Sequence, residues 1–158
     1  MLALLPVAVI VALAAAQSGA GAQDQLRNIK TLKCKFSTLA TGTWLNGASR
    51  ADVKPSTLSV GFDNIDVSDG TADTIGQFGP LHITVRLSGS TLHFMQMDNG
   101  GPLYLTTVFA AGRDKLPDGK LRAVHTRHEY TEVSLPGFTS RPEQYYGECE
   151  TTSAPPAK

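Results

Sequence analysis

The sequence has no excess of charge of either sign, because its 14 basic side chains are matched by 14 acidic ones. A protein that binds nucleic acid or anionic lipid through a broad electrostatic surface needs a basic face or a positive net charge. We therefore expect neither a nucleic acid nor a membrane as a partner of the mature protein.

Charged side chains are also missing from the first 23 residues, which read MLALLPVAVIVALAAAQSGAGAQ. The apolar run over residues 1–16 is shorter than the roughly 20 residues that a membrane-spanning helix needs. The small residues at 20–22, AGA, have the pattern that signal peptidase cleaves, and residues 14–16 offer an alternative site. We predict a signal peptide over residues 1–22, with an uncleaved anchor as the alternative, and hence a periplasmic or secreted protein.

Only two cysteines occur, Cys34 and Cys149, one near each end of the predicted mature chain. In a protein that leaves the reducing cytosol, such a pair indicates a disulfide. The bond would close a loop of more than a hundred residues, and its role would be structural.

The motifs of several enzyme classes are absent from the sequence. It contains no Gly-x-Ser-x-Gly or Ser-x-x-Lys nucleophile motif, no His-Glu-x-x-His zinc motif and no phosphate-binding glycine loop. The disulfide would leave no free cysteine as a nucleophile. We therefore expect a protein that is not an enzyme and needs no cofactor or metal, with a small hydrolase of unrecognised site as an alternative.

Strict alternation of apolar and polar residues is the main structural pattern after residue 30. In KTLKCKFS, Leu32, Cys34 and Phe36 share one face and the lysines take the other, and LHITVRL and TLSVGF alternate in the same way. This period of two indicates half-buried antiparallel strands, and no segment of the mature chain has the 3.6-residue period of an amphipathic helix. Strands are predicted over residues 30–37, 57–67, 71–75, 81–87, 91–97, 103–109, 121–130 and 144–150, with turn residues between most of them.

About eight antiparallel strands in one small domain indicate an all-β fold, either a barrel or a sandwich. In an even-stranded up-and-down barrel the first and last strands are neighbours, so a Cys34–Cys149 bond would join the closing pair, although a sandwich with adjacent edge strands fits equally. The domain is predicted over residues 23–150, with a disordered tail at 151–158. Residues 38–56 could form a long loop, a short strand or a short helix.

The stretch AVHTRHEY combines residue types found in metal and acid-base sites. On a strand His125 and His128 point to opposite faces, so only a bulge would bring both to one metal. The later stretch FTSRPEQYYGECE adds tyrosines and an arginine, which are enriched at binding hot spots, although one of two adjacent tyrosines must face the core. The predicted ligand-binding residues are His125, Arg127, His128, Tyr130, Arg141, Tyr145 and Tyr146.

Two further features have competing interpretations. Four aspartates in FDNIDVSDGTAD surround a glycine turn, but their spacing does not fit a calcium loop, and a hairpin turn with acidic flanks is the better interpretation. Met95 and Met97 share one strand face with His93, and they would suit an apolar ligand if that face lined a cavity.

Three segments, TTVF at 106–109, AVHTRHEY at 123–130 and PEQYYGEC at 142–149, resemble a group of small exported bacterial proteins with no assigned activity. That resemblance implies an exported β-rich domain and transfers no functional residue. In size, export signal, β content and disulfide the chain also resembles the periplasmic inhibitors of C-type lysozyme, eight-stranded barrels that plug an enzyme cleft with a loop. The segment at 88–90, Ser-Gly-Ser, is similar to the Ser/Gly-rich loop of those inhibitors, but the Thr-Leu-His that follows departs from their basic and aromatic residues.

We expect from the sequence a non-enzymatic binding protein for a small molecule or an exported partner protein. Inhibition of a cell-wall-degrading enzyme such as lysozyme is the alternative function. The exposed loop that inhibition would require distinguishes it from ligand binding inside the domain.

Overall fold

The computed structural model describes residues 21–75, 80–97, 102–111, 116–128 and 142–152. Residues 21–27 form a short helix, α1. The strands are β1 (Leu32–Leu45), β2 (Ala48–Asp66), β3 (Thr71–Ile75), β4 (Leu81–Ser88), β5 (Thr91–Met97), β6 (Leu103–Phe109), β7 (Leu121–His128) and β8 (Glu143–Thr151). None of the helices in this part of the chain has the length and hydropathy to cross a membrane. The predicted signal peptide, apart from its last two residues, and the predicted tail beyond residue 152 lie outside the described residues.

Each strand pairs antiparallel with its neighbours along the chain, and β1 pairs with β8, so the eight strands close into a barrel. The all-β prediction is confirmed, and of its two architectures the barrel is the one found. Cys34 and Cys149 are directly opposed in β1 and β8, with Cα atoms 3.9 Å apart, and they form the predicted disulfide. The bond therefore joins the two strands whose pairing closes the barrel.

The inner strand faces supply a continuous apolar core. Phe62 and Phe94 stack near its centre with ring centroids 4.0 Å apart. Burying an apolar side chain of this size contributes about 1.5–3 kcal/mol, so the core outweighs any single polar contact in the barrel. The strand residues of the core are Leu32, Cys34, Phe36, Phe62, Ile65, Ala72, Ile83, Val85, Leu92, Phe94, Val108, Leu121, Ala123 and Cys149.

Helix α1 and the residues after it close one end of the barrel. Leu26 and Ile29 are buried in the core, and the Gln25 side chain accepts a hydrogen bond of 3.1 Å from the backbone N–H of Ala111, just after β6. The sequence predicted no helix here. Two core-facing residues in so short a segment cannot establish a period of 3.6 residues, which explains the omission.

Strands β1 and β2 form one long hairpin. Their pairing runs from Leu32↔Phe62 to Leu45↔Ala48 around a turn in which both loop residues have positive φ. The segment at 38–56, for which loop, strand and helix were all open, consists of the two arms and the turn of this hairpin. Residues 48–55 are exposed on both faces of β2, so their sequence carries no apolar alternation that could indicate a strand.

Candidate functional site

The barrel interior contains a cavity of about 250 Å³ at the end far from α1. We call this cavity the cup. Strands β2, β4 and β5 give it an apolar wall of five side chains, to which β3 and β5 add the polar Thr74 and Gln96, and β6 and β7 give it a polar wall that includes an imidazole. Its lining consists of Leu58, Val60, Phe62, Thr74, Ile83, Phe94, Gln96, Tyr104, Thr106 and His125.

The register of three strands assembles the polar wall and places Arg127, Glu143 and Tyr145 beside it, outside the lining of the cup. His125 on β7 lies opposite Thr106 on β6 and opposite Tyr145 on β8. Two residues further along β7, on the same inner face, Arg127 lies opposite Glu143 of β8. Alternation thus brings one imidazole, one guanidinium, one phenol and one carboxylate to a single side of the barrel interior.

The His125 ring is held from several sides. Its Nδ1 lies 2.8 Å from the Thr106 hydroxyl, and its centroid lies 5.8 Å from the Tyr145 ring and 6.1 Å from the nearly parallel Tyr104 ring. The Arg127 guanidinium lies over the Tyr104 ring, with its central carbon 5.9 Å from the ring centroid. Among the described residues, Nε2 of His125 has no hydrogen-bond partner, so this nitrogen can serve a ligand in the cup.

The polar wall carries no net charge at neutral pH. Burial, and secondarily the charge of Arg127, lower the pKa of His125 to about 4, so its imidazole is neutral. Burial and the hydrogen bond to Glu143 raise the pKa of Tyr145 to about 12, so its phenol stays protonated. The phenol donates to Glu143 Oε2 at 2.6 Å, and Arg127 Nη1 lies 3.8 Å from the same oxygen. The two permanent charges therefore neutralise each other beside the cup.

The low pKa of His125 predicts that acid destabilises the barrel. The pKa is about 4 in the folded protein against an ordinary value of 6.5, so the unfolded chain binds the extra proton first. Neutral His125 makes its full contribution to the free energy of unfolding above pH 6.5, and this contribution is lost as the pH falls towards 4. We expect this residue alone to lower the free energy of unfolding by about 3 kcal/mol across that interval, measured by urea denaturation.

The control for this prediction is His125→Phe, which keeps a ring of similar size against the Tyr104 and Tyr145 rings. All carboxylates are common to both proteins, so the difference between the two pH profiles isolates the imidazole. If the variant loses as much stability in acid as the wild type, the imidazole does not cause the loss.

Of the seven predicted ligand-binding residues, His125 lines the cup, and Arg127 and Tyr145 lie beside it without lining the cup. His128 lies on the other face of β7 from His125, and no register shift in β7 brings the two histidines together. Tyr146 faces outward and is 44% exposed. Tyr130 and Arg141 lie outside the described residues.

Tyr146 instead borders a groove of about 610 Å³ on the outer face of β1, β7 and β8. The Glu148 carboxylate in this groove forms an ion pair with Lys120 and lies opposite Lys35 and Arg122 in the strand register. The charged residues of the groove are therefore explained as cross-strand pairs within the sheet. The charged groups of the groove are thus already engaged with one another, and we consider the cup the better candidate for a ligand site.

Sequence reasoning missed Tyr104 and Thr106, which complete the polar wall. Both lie on β6, and they reach His125 only because the β6–β7 register places Thr106 directly opposite it. A cross-strand register follows from how the whole sheet assembles, so neither the spacing nor the type of these two residues indicates the contact.

The aspartate cluster is accounted for by local hydrogen bonds. Asp66 accepts hydrogen bonds from the backbone N–H groups of Ser68 and Asp69, which lower the pKa of its carboxyl. Asp73 accepts from Asn64 and lies 3.0 Å from His82 across β3 and β4. These contacts support the turn interpretation. Within the described ranges no three His, Cys, Asp or Glu side chains group in a way that could hold a metal.

The Ser-Gly-Ser segment forms a tight turn between β4 and β5. Gly89 has a φ of 56°, the left-handed region that glycine adopts at low cost, and the Thr91 hydroxyl donates to the Ser88 carbonyl at 2.7 Å. A two-residue hairpin connection accounts for these residues without an inhibitory role.

Comparison with protein-family models, with curated proteins and with solved structures finds no match for this chain. Neither family resemblance drawn from the sequence gains support from a relative.

Proposed function

We propose that this protein is exported and that it binds an uncharged, mainly apolar small molecule in the cup, without acting on it chemically. The observation that carries the proposal is the division of the cup into an apolar wall and a facing polar wall held neutral at physiological pH. Export is supported by the uncharged apolar N-terminus and by a disulfide, which persists in oxidising compartments.

The size and polarity of the cup define the ligand. One water molecule occupies about 30 Å³ in the liquid. If each non-hydrogen atom of a ligand needs the same space, the cup of about 250 Å³ holds roughly eight such atoms. Five apolar side chains line one side, and a neutral imidazole nitrogen offers one hydrogen bond on the other. A ligand charge buried here would find no uncompensated opposite charge, because Arg127 and Glu143 lie close to one another. A small alcohol, ketone or amide has the chemistry that fits.

A catalytic role has less support than ligand binding, because the imidazole in the one hydroxyl–imidazole pair of the cup has a low proton affinity. Thr106 and His125 lie within hydrogen-bond distance, as a nucleophile and its base would. An imidazole whose pKa is about 4 accepts a proton poorly at neutral pH, and the Thr106 side chain is only 2% exposed. We therefore assign the pair to ligand binding.

The proposal is tested with 1-hexanol, whose length matches the cup. We expect saturable binding in calorimetry, with changes in the NMR shifts of cup residues such as Thr106. His125→Phe should weaken binding about tenfold, because it removes one hydrogen bond worth about 1–1.5 kcal/mol and keeps a ring of similar size in the cup.

The matched control is His93→Phe, the same substitution on the outer face of β5, where His93 bonds with Thr91 and Thr107. It should leave hexanol affinity unchanged. Absence of saturable binding in the wild type, or equal weakening by both substitutions, would reject the cup as the binding site.

A further inference from the structure

Strands β4 and β5 separate at the far end of the barrel. Their pairing ends at Thr84↔Met95. Beyond it, β4 continues against β3 as far as the Thr74↔Leu81 pair, and β5 continues against β6 as far as Met97↔Leu103. Among the described residues, β4 and β5 are therefore unpaired between residues 81–83 of β4 and residues 96–97 of β5, whereas the rest of β5 pairs with β4.

An outer furrow of about 370 Å³ lies at this gap. Ile83 and Gln96 line both the furrow and the cup, so the two spaces adjoin at these two residues. We call the unpaired stretch of wall at Ile83 and Gln96 the portal. The furrow is lined by Thr71, Leu81, His82, Ile83, Thr84, Met95, Gln96, Met97 and Leu103.

The furrow exposes several apolar side chains. Met97 is 78% exposed, and Met95 and Leu103, also on the outer face, are each more than a third exposed, as is Leu81, which lies at the rim of the barrel on the same strand face as Ile83. Its lining contains no lysine, arginine or carboxylate. Contiguous exposed apolar side chains of this kind mark a surface that another apolar group covers, and methionines adapt to chains of varied shape.

We infer that the ligand is a long-chain uncharged amphiphile, with its polar head at His125 and its chain passing through the portal into the furrow. This inference rests on the proposed function of the cup. The two spaces together fit such a ligand, because the cup holds roughly eight non-hydrogen atoms and the furrow has room for about twelve more. The head group belongs at β6 and β7, where the polar wall lies, and the chain belongs against the five apolar side chains of β2, β4 and β5.

The test is the affinity of a homologous series from 1-hexanol to 1-dodecanol, with the longer alcohols measured by competition against 1-hexanol. Within the cup each added methylene should improve the affinity about fourfold. Past the length of the cup, the gain should continue at about twofold for each methylene, because the furrow covers the chain on one side only.

Two furrow variants, Leu103→Glu and Met97→Glu, place a carboxylate where the chain would lie. Each should leave the affinity for 1-hexanol unchanged and weaken 1-dodecanol about thirtyfold, the gain expected from about five methylenes beyond the cup. The matched control is Phe109→Glu, which adds the same charge at an exposed apolar residue near the end closed by α1 and should not change either affinity.

The outcomes separate this inference from the proposed function. If wild-type affinity stops rising once the alcohol fills the cup, the portal inference is overturned while the binding function stands. Equal weakening of 1-dodecanol by the furrow variants and by the control would overturn it in the same way. If no alcohol of any length binds, the proposed function itself fails.

Discussion

Replacing Cys34 and Cys149 together by alanine is expected to lower the free energy of unfolding by about 5 kcal/mol. The two residues are 115 positions apart, so the bond removes much of the conformational freedom of the unfolded chain. Most single domains are stable by only 5–15 kcal/mol, so the double variant should be near its unfolding midpoint at ambient temperature. Urea denaturation followed by circular dichroism measures the difference.

Wild-type protein unfolded and refolded with excess reductant provides the control for this experiment. It loses the cross-link but keeps both buried sulfur atoms, and it should lie close to the double variant. A double variant within about 1 kcal/mol of the oxidised wild type would show that the cross-link does little to restrict the unfolded chain.

Gly147→Ala is the second substitution with a large expected effect, at about 3 kcal/mol of lost stability. Gly147 lies opposite Phe36 in the closing strand pair, next to a register shift in β1 between Phe36 and Thr38. A Cβ at position 147 would lie 2.0 Å from the Lys35 carbonyl oxygen and 2.6 Å from the Phe36 Cα. Both are backbone atoms, so the two strands would have to separate.

Gly42→Ala provides the comparison. Gly42 is also a strand glycine, in β1, but a Cβ added there meets nothing within 4 Å. This substitution should change the unfolding free energy by less than about 0.5 kcal/mol, because it touches no packed atom. If thermal and urea denaturation show similar losses for both variants, the close approach at Gly147 does not limit the packing of the closing strands.

Alternation predicted the strands of the barrel well because each segment buries one face and exposes the other. The bounds predicted for the strands that begin at Thr71, Thr91 and Leu103 agree with the structure, and Cys34 and Cys149 lie in the first and last strands as expected. Alternation did not predict the structure of segments that lack one buried and one exposed face. Residues 48–55 are exposed on both faces, and α1 buries too few residues to show a helical period.

The candidate site could be predicted only in part. Alternation correctly separates His125 from His128, and it correctly requires the adjacent Tyr145 and Tyr146 to face opposite sides. It cannot say which side is inner, since both faces of β7 mix polar and apolar residues. The inner direction follows from the core that seven other strands share with β7. The portal depends on where the pairing of β4 and β5 stops, which is likewise a property of the assembled sheet.

The disulfide also makes the barrel a covalent ring. The chain runs once around the barrel from Cys34 to Cys149, and the bond returns from the last strand to the first. A protease that cuts any one connection between these residues therefore opens the ring but leaves both fragments in one molecule. The tight turn at Gly89 is then a place where new termini could be introduced, with the present first and last strands still held together by the bond.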